Sequence, residues 1–337
     1  MSLPWKRISE AALLKKPLQT LPLRVDQGPA GALVKRLYAE LEAKGIRFKP
    51  PCWFGEEWFS PDGTPGISIP FFLANTWLMK LERKFMLEVE GGTSGEFMRI
   101  LRHEAGHALD TAFRLHFRKG WRETFGSFAK PYPVSYRPRP NSRQHVLHLQ
   151  GWYAQAHPAE DFAETFAVWL RPNSHWRRRY AGWPALKKLN YIDELMREIA
   201  GRAPVNRKRK PVEPISESRL TLEAYYEAKR TLYSLEWPAY YDRSLRRVFS
   251  ENPRHQNRLS AAMFFRHERR RLCEAVSDGT GLHSYTLNHM IEHMVERCKA
   301  LKLRMKESRS ETYQQALVMV TFEAMNVIHS GHYKLAL

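Results

Sequence analysis

The stretch Leu101-Arg102-His103-Glu104-Ala105-Gly106-His107-Ala108-Leu109-Asp110 decides how the rest of this chain is read. On a helix, residues four apart lie one above the other, so His103 and His107 can present two imidazoles to a single metal ion. Glu104 is then turned aside, beside the ion rather than on it, where a carboxylate can take a proton from water activated by the metal. Local signals predict the helix itself. Thr93 and Glu96 form a T-x-x-E capping box after Gly91-Gly92, and Phe97, Leu101, Ala105, Ala108 and Ala112 make one apolar stripe. His103, His107 and Asp110 fall on the roughly opposite side, giving the helix one face for a core and one for a cleft.

A catalytic zinc site usually has three protein ligands and one open position. The acidic segment His157-Pro158-Ala159-Glu160-Asp161-Phe162-Ala163-Glu164-Thr165-Phe166 supplies the candidates, with Pro158 opening a helix as its first residue and Pro172 following its end. Glu160 and Glu164 are four apart on one face, while Phe162, Phe166 and Leu170 give the helix something to bury. If Glu160 reaches the metal, Glu164 can hydrogen-bond a ligand imidazole. The competing reading is a solvated acidic face.

The pair H-E-A-G-H-A-L-D and E-D-F-A-E-T-F-A resembles the catalytic domain of anthrax lethal factor and its gluzincin relatives. The resemblance covers residues 93–170 only. It implies a zinc endopeptidase with a thermolysin-like arrangement of helices, in which His103, His107 and Glu160 are the ligands, Glu104 is the general base and Glu164 is an outer carboxylate. Asp110 matches the aspartate that closes the first motif, a second carboxylate near the ligands. The relatives also place a catalytic tyrosine seven residues before the ligand glutamate, where this chain has Tyr153. Read from the residues alone, Tyr153 is more readily a core aromatic beside Trp152, and only the resemblance brings the catalytic reading level with it; Tyr132 and Tyr136 are rival donors to a developing oxyanion.

At 337 residues, 43% of them hydrophobic and 12% aromatic, the chain has the length for two domains and the composition of a globular protein. The first twenty residues carry Lys6, Arg7, Lys15 and Lys16 without a following apolar run, and no segment approaches a membrane span. Cys52, Cys273 and Cys298 are far apart and odd in number, which argues against a disulfide framework or a cysteine metal site and for a cytoplasmic setting. The formal net charge is +19, and residues 171–210 hold twelve Lys/Arg against three acidic residues, nearly half of that excess. Such a field attracts an acidic protein or peptide substrate, or nucleic acid.

The expected fold is α+β: a zincin-like domain over 1–200, a basic, Pro-bearing linker over 201–218, and an all-α domain over 219–337. Residues 1–29 read as an extended arm and Ala30–Lys44 as a helix stopped by Gly45. Cys52–Phe54, Trp58–Phe59 and Ile67–Ile69 are expected strands around a Pro61–Gly66 turn, followed by a short helix over Thr76–Arg83. Phe85–Glu90 is also expected as a strand, whose free edge would pair with extended substrate. Arg118–Gln150 reads as one long loop. Helices are expected near Leu220–Tyr233, Arg258–Val276, Tyr285–Lys306 and Thr312–His329.

The function expected is peptide-bond hydrolysis by zinc-activated water. The alternative is a nucleic-acid-associated protein with a structural zinc, drawing on the charge and on His175-Trp176-Arg177-Arg178-Arg179-Tyr180, where aromatics alternate with cations. Near the other end, His289-Met290-Ile291-Glu292-His293 is an inverted H-x-x-E-H motif, but no paired-glutamate helix follows it.

Overall fold

The computed structural model describes residues 9–133, 136, 138–140, 142–233 and 241–330. In chain order the helices are α1 (Glu10–Leu14), α2 (Gly28–Ala43), α3 (Thr76–Met86), α4 (Ser94–Phe113), α5 (Lys119–Phe125), α6 (Pro158–Leu170), α7 (Trp176–Arg179), α8 (Ala185–Ile199), α9 (Leu222–Tyr233), α10 (Tyr241–Val248), α11 (Ala261–Thr280), α12 (Ser284–Ala300) and α13 (Arg309–Ser330). Strands β1 (Cys52–Gly55) and β2 (Ile67–Pro70) pair in parallel, and β3 (Phe249–Ser250) and β4 (Arg304–Met305) pair antiparallel. The composition is therefore α+β with helix dominant. Among the described residues, no helix is long and apolar enough to cross a membrane.

The chain divides into two compact units, one taking residues up to 85 and 89–226, the other 86–88 and 227 onward. The first is built on α4 and α6. Thr93 caps α4 as expected: its hydroxyl accepts the Glu96 N–H at 3.2 Å, and the Glu96 carboxylate accepts the Thr93 N–H at 3.2 Å. The helix ends where Arg114 turns left-handed at φ 52°. Gly106 sets how closely α6 approaches, because a Cβ there would meet the Ala163 Cα at 2.9 Å. Behind α4, Arg102 forms a buried two-bond pair with Glu40 of α2, both at 2.7 Å. Breaking such a pair leaves an uncompensated buried charge, which costs about 3–5 kcal/mol.

α6 is held from its other sides by helices that composition did not announce. Trp121 and Phe125 of α5, inside the stretch expected to be loop, pack on Phe162 with ring centroids 5.8 and 5.5 Å away. From α8, Lys188 pairs with Asp161 at 2.5 Å, and Asp193 accepts the Trp169 indole N–H at 2.8 Å. The acidic face of α6 is not solvated: Glu160, Asp161 and Glu164 are all buried.

Two expectations are corrected. Phe85–Glu90 is not a strand, since Phe85 and Met86 close α3 and Leu87 turns left-handed at φ 69°; the end of an apolar helix followed by a turn mimics alternation. No strand edge for a substrate exists there. The β-like stretch before it is reduced to the β1–β2 ladder plus one antiparallel bridge from Phe59 to Ser68. Residues 201–218 do not hang between domains either. Gly201 N–H donates to Gly45 O at 3.0 Å, Asn206 N–H to Ala112 O at 2.8 Å, and the Trp53 indole to Val212 O at 3.0 Å, so the segment lies along the first unit. The arm expected over residues 1–29 includes α1 and a 3-10 turn at Leu18–Thr20; its first eight residues lie outside the described ones.

The second unit packs α10 to α13 around a core that includes Phe264, Phe265, Leu272, Met290, Ile291, Met294 and Val320. α11 and α13 lie within a few residues of where apolar spacing predicts them. α12 ends at Ala300, six residues short of the expected Lys306, because Lys302 turns left-handed at φ 52° and Arg304–Met305 form β4. α10 was not anticipated.

Candidate metal centre

α4 and α6 bring three donor atoms to one point. His103 Nε2 lies 3.1 Å from His107 Nε2 and 3.0 Å from Glu160 Oε2, which is 3.2 Å from His107 Nε2. Ligand bonds of about 2.0–2.1 Å in a tetrahedral zinc site place neighbouring donor atoms about 3.3–3.4 Å apart, close to this triangle. The chemistry of the donors agrees. A neutral imidazole carries one N–H, and His103 Nδ1 stands 2.9 Å from Glu164 Oε1. With that proton given to Glu164, the lone pair of Nε2 converges on a second imidazole nitrogen and a carboxylate oxygen, an arrangement that calls for a cation. No other group of three such side chains converges in this way among the described residues.

The carboxylates and imidazoles also set one another's protonation. Burial alone would lower the His103 pKa, but the carboxylates of Glu160 and Glu164 outweigh it and push it up to about 10. Burial likewise works against the His107 imidazolium, and Glu160 wins. Glu160, although burial favours its neutral form, is held well below the usual carboxylate range by the two imidazoles.

Glu104 differs from its neighbours. The residue is 1% exposed and among the described residues its carboxylate makes no hydrogen bond, yet its oxygens are not shut off from solvent. Burial raises its pKa, and His103 and His107 pull in the other direction.

The surrounding side chains position the donors. Leu149 N–H donates to Glu164 Oε2 at 2.8 Å, fixing the carboxylate that orients His103. The Tyr132 hydroxyl donates to Glu160 Oε1 at 2.7 Å, and its ring stacks on His157 with centroids 3.9 Å apart. His157 in turn caps α6, its Nδ1 accepting the Ala159 N–H at 3.1 Å. Tyr153 sits on the 3-10 segment Gln150–Gln155, whose Gly151 and Trp152 both have positive φ, with its ring centroid 5.7 Å from that of His103. Burial raises the Tyr153 pKa and the nearby Glu160 and Glu104 raise it further, so its hydroxyl keeps its proton. Tyr136 is engaged elsewhere, donating to Gly151 O at 2.7 Å.

The expected residues His103, His107, Glu160, Glu164, Glu104 and Tyr153 thus cluster. Asp110 makes no hydrogen bond to a ligand imidazole: its carboxylate pairs with His116 Nδ1, and its link to the ligands is the charge of His107 alone. The contact of Tyr132 with Glu160 had no signal in spacing, since the two lie 28 positions apart in the chain. Nor does the aromatic interleaving at His175–Tyr180 form a stacking surface. Trp176 and Tyr180 are buried, and Arg177 is taken up by Asp193 at 2.6 Å.

No protein-family model, no curated protein and no solved structure matches the chain.

Proposed function

We propose that the first unit is a zinc-dependent peptidase of the zincin type, with His103, His107 and Glu160 holding the metal. The observation that carries this reading is Glu104: a carboxylate with no hydrogen-bond partner, placed beside three converging donors. A site that only stabilised the fold would have no use for a carboxylate left without a partner beside the ligands, and its oxygens, unlike Glu82 Oε2 and Asp110 Oδ1, are not closed off from solvent. A zinc ion bound there would supply Lewis acidity to a peptide carbonyl and to water.

The chain's own residues supply the rest. Glu104 accepts the proton of the attacking water and returns it to the leaving amine. Tyr153, the one tyrosine of the three whose hydroxyl is not already given to Glu160 or Gly151, donates to the carbonyl oxygen as negative charge develops on it. Glu164 holds the His103 Nδ1 proton so that Nε2 faces the metal, and Tyr132 fixes the orientation of Glu160. The three cysteines, none of them in a disulfide, suit a cytosolic setting.

The test is Glu104→Gln, assayed for metal content and for hydrolysis of a mixed peptide library. The variant keeps its zinc and its fold while turnover falls by about two to four orders of magnitude. Unchanged hydrolysis in the variant would remove Glu104 from the mechanism, and an inactive wild-type protein loaded with zinc would remove the peptidase reading.

A further inference from the structure

A basic concavity of the first unit lies at the far end of α4 from its cap. It is a groove of about 580 Å³ between residues 47–51 and 201–209. Arg47, Lys49, Arg202, Arg207, Lys208 and Arg209 line it, and no acidic residue does. Two of these cations touch carboxylates elsewhere, Lys49 with Glu42 and Arg202 with Glu198, both at 3.4 Å and exposed, so neither is neutralised to much effect. Among the described residues, Arg47, Arg207, Lys208 and Arg209 have no acidic partner. Like charges this dense repel one another, which a folded surface tolerates where an anion is to be bound.

The groove is built rather than incidental. Its basic wall is pinned on either side: Asn206 N–H to Ala112 O at 2.8 Å, the Asn206 side-chain amide to Gly63 O at 3.0 Å, and Val212 O to the Trp53 indole. Phe48 anchors the opposite wall edge-on against Phe113, the last residue of α4, with centroids 6.1 Å apart. Both walls thus rest on the C-terminal end of α4, although no α4 residue lines the groove and Ala112 belongs to the apolar stripe opposite His103 and His107. Ala112 is five residues beyond His107, about 8 Å along the axis at 1.5 Å per residue.

We infer that this groove binds an acidic stretch of polypeptide, a run of Asp and Glu in the substrate. The inference rests on the peptidase reading above and adds its substrate class. Three features favour an acidic peptide over nucleic acid. The backbone N–H groups of the lining residues Arg207 and Arg209 have no hydrogen-bond partner among the described residues, leaving main-chain donors open to an extended chain. The groove offers no exposed aromatic on which bases could stack, Phe48 being half-buried against Phe113. The aromatics of the neighbouring basic stretch, Trp176 and Tyr180, are in the core.

The experiment measures binding apart from cleavage, using the full-length Glu104→Gln protein loaded with zinc and fluorescently labelled probes at low salt: an oligoglutamate, an oligoglutamine of equal length, and an oligothymidylate of equal length. The oligoglutamate binds at least about tenfold more tightly than either other probe, and its affinity falls steeply with added salt. Arg207→Glu/Arg209→Glu weakens it by about tenfold or more. The control Arg178→Glu/Arg179→Glu, which changes net charge equally on exposed α7 residues outside the groove, leaves it within about twofold. Zinc content and circular dichroism confirm that both variants fold. Tighter binding of the oligothymidylate would overturn the inference in favour of nucleic acid, and equal losses in the two charge-reversal variants would overturn it in favour of a diffuse field. Retained oligoglutamate binding in a wild-type protein that hydrolyses nothing would count against the peptidase reading and leave the groove standing.

Discussion

The chain places two histidines four residues apart on a helix twice, and among the described residues only one pair meets a third donor that could complete a metal site. His103 and His107 on α4 have ring centroids 4.8 Å apart at 73°; His289 and His293 on α12 are 4.9 Å apart at 65°. Spacing has done the same work in both. What differs is the helix opposite. α6 brings Glu160 and Glu164 to the first pair, whereas α11 brings Arg266 and Arg269 to a cavity of about 400 Å³ beside the second. The acid of the inverted motif, Glu292, is exposed and spends its charge on Arg269 at 3.1 Å. The residue three beyond the first histidine adds to the contrast. It is Gly106 in one motif, admitting Ala163 to within contact, and the charged Glu292 in the other. A histidine pair is a local property of sequence; a metal site is a property of what faces it.

The comparison can be broken where it is most consequential, at the groups only the α4 pair possesses. Tyr153→Phe removes one hydroxyl while the ring still packs near His103. Turnover drops by about 10- to 1,000-fold with zinc content unchanged, read by steady-state kinetics on a cleaved peptide. Full activity would return Tyr153 to a packing role. Glu164→Gln acts on the metal rather than on turnover, because the carboxylate that receives the His103 Nδ1 proton is lost. Zinc affinity, measured by competition with a chelator, weakens by about 10- to 100-fold. An unchanged affinity would mean that the facing helix contributes only Glu160.

How much of this was legible in the sequence follows from the range of each signal. The capping box of α4, its apolar stripe and the histidine spacing are contained within twenty residues, and α6 declares itself through Pro158 and its buried phenylalanines. α8 was hidden because its segment was read for its charge, although Leu189, Ile192, Met196 and Ile199 lie on one buried face. The 201–218 segment has the composition of a linker, and its docking depends on the carbonyls of Gly45 and Ala112, which composition cannot display. The donor from Tyr132 to Glu160 depends on the path of the chain between them. The pairing of Asp110 was missed for a simpler reason: His116, six residues on, lay close enough to claim it.

Two smaller effects sharpen the same contrast. Gly106→Ala presses a methyl group onto the Ala163 backbone, so α6 must shift. Stability falls by about 1–3 kcal/mol by urea denaturation, and zinc affinity falls with it, while an equally conservative change at Ile291 on α12 leaves zinc affinity alone. Tyr132→Phe leaves one Glu160 oxygen without its donor. Its expected cost is about 1–2 kcal/mol in metal affinity, near the value of one hydrogen bond to a charged group, and a variant indistinguishable from wild type would remove Tyr132 from the site.

The most direct test of the central claim, that the facing helix rather than the histidine spacing makes the metal site, is zinc stoichiometry by elemental analysis in three proteins. These are the wild type, His103→Ala/His107→Ala and His289→Ala/His293→Ala, each dialysed against the same zinc-buffered solution. The account predicts one zinc per chain in the wild type and in the α12 variant, and close to none in the α4 variant. Zinc retained by the α4 variant and lost from the α12 variant would contradict it.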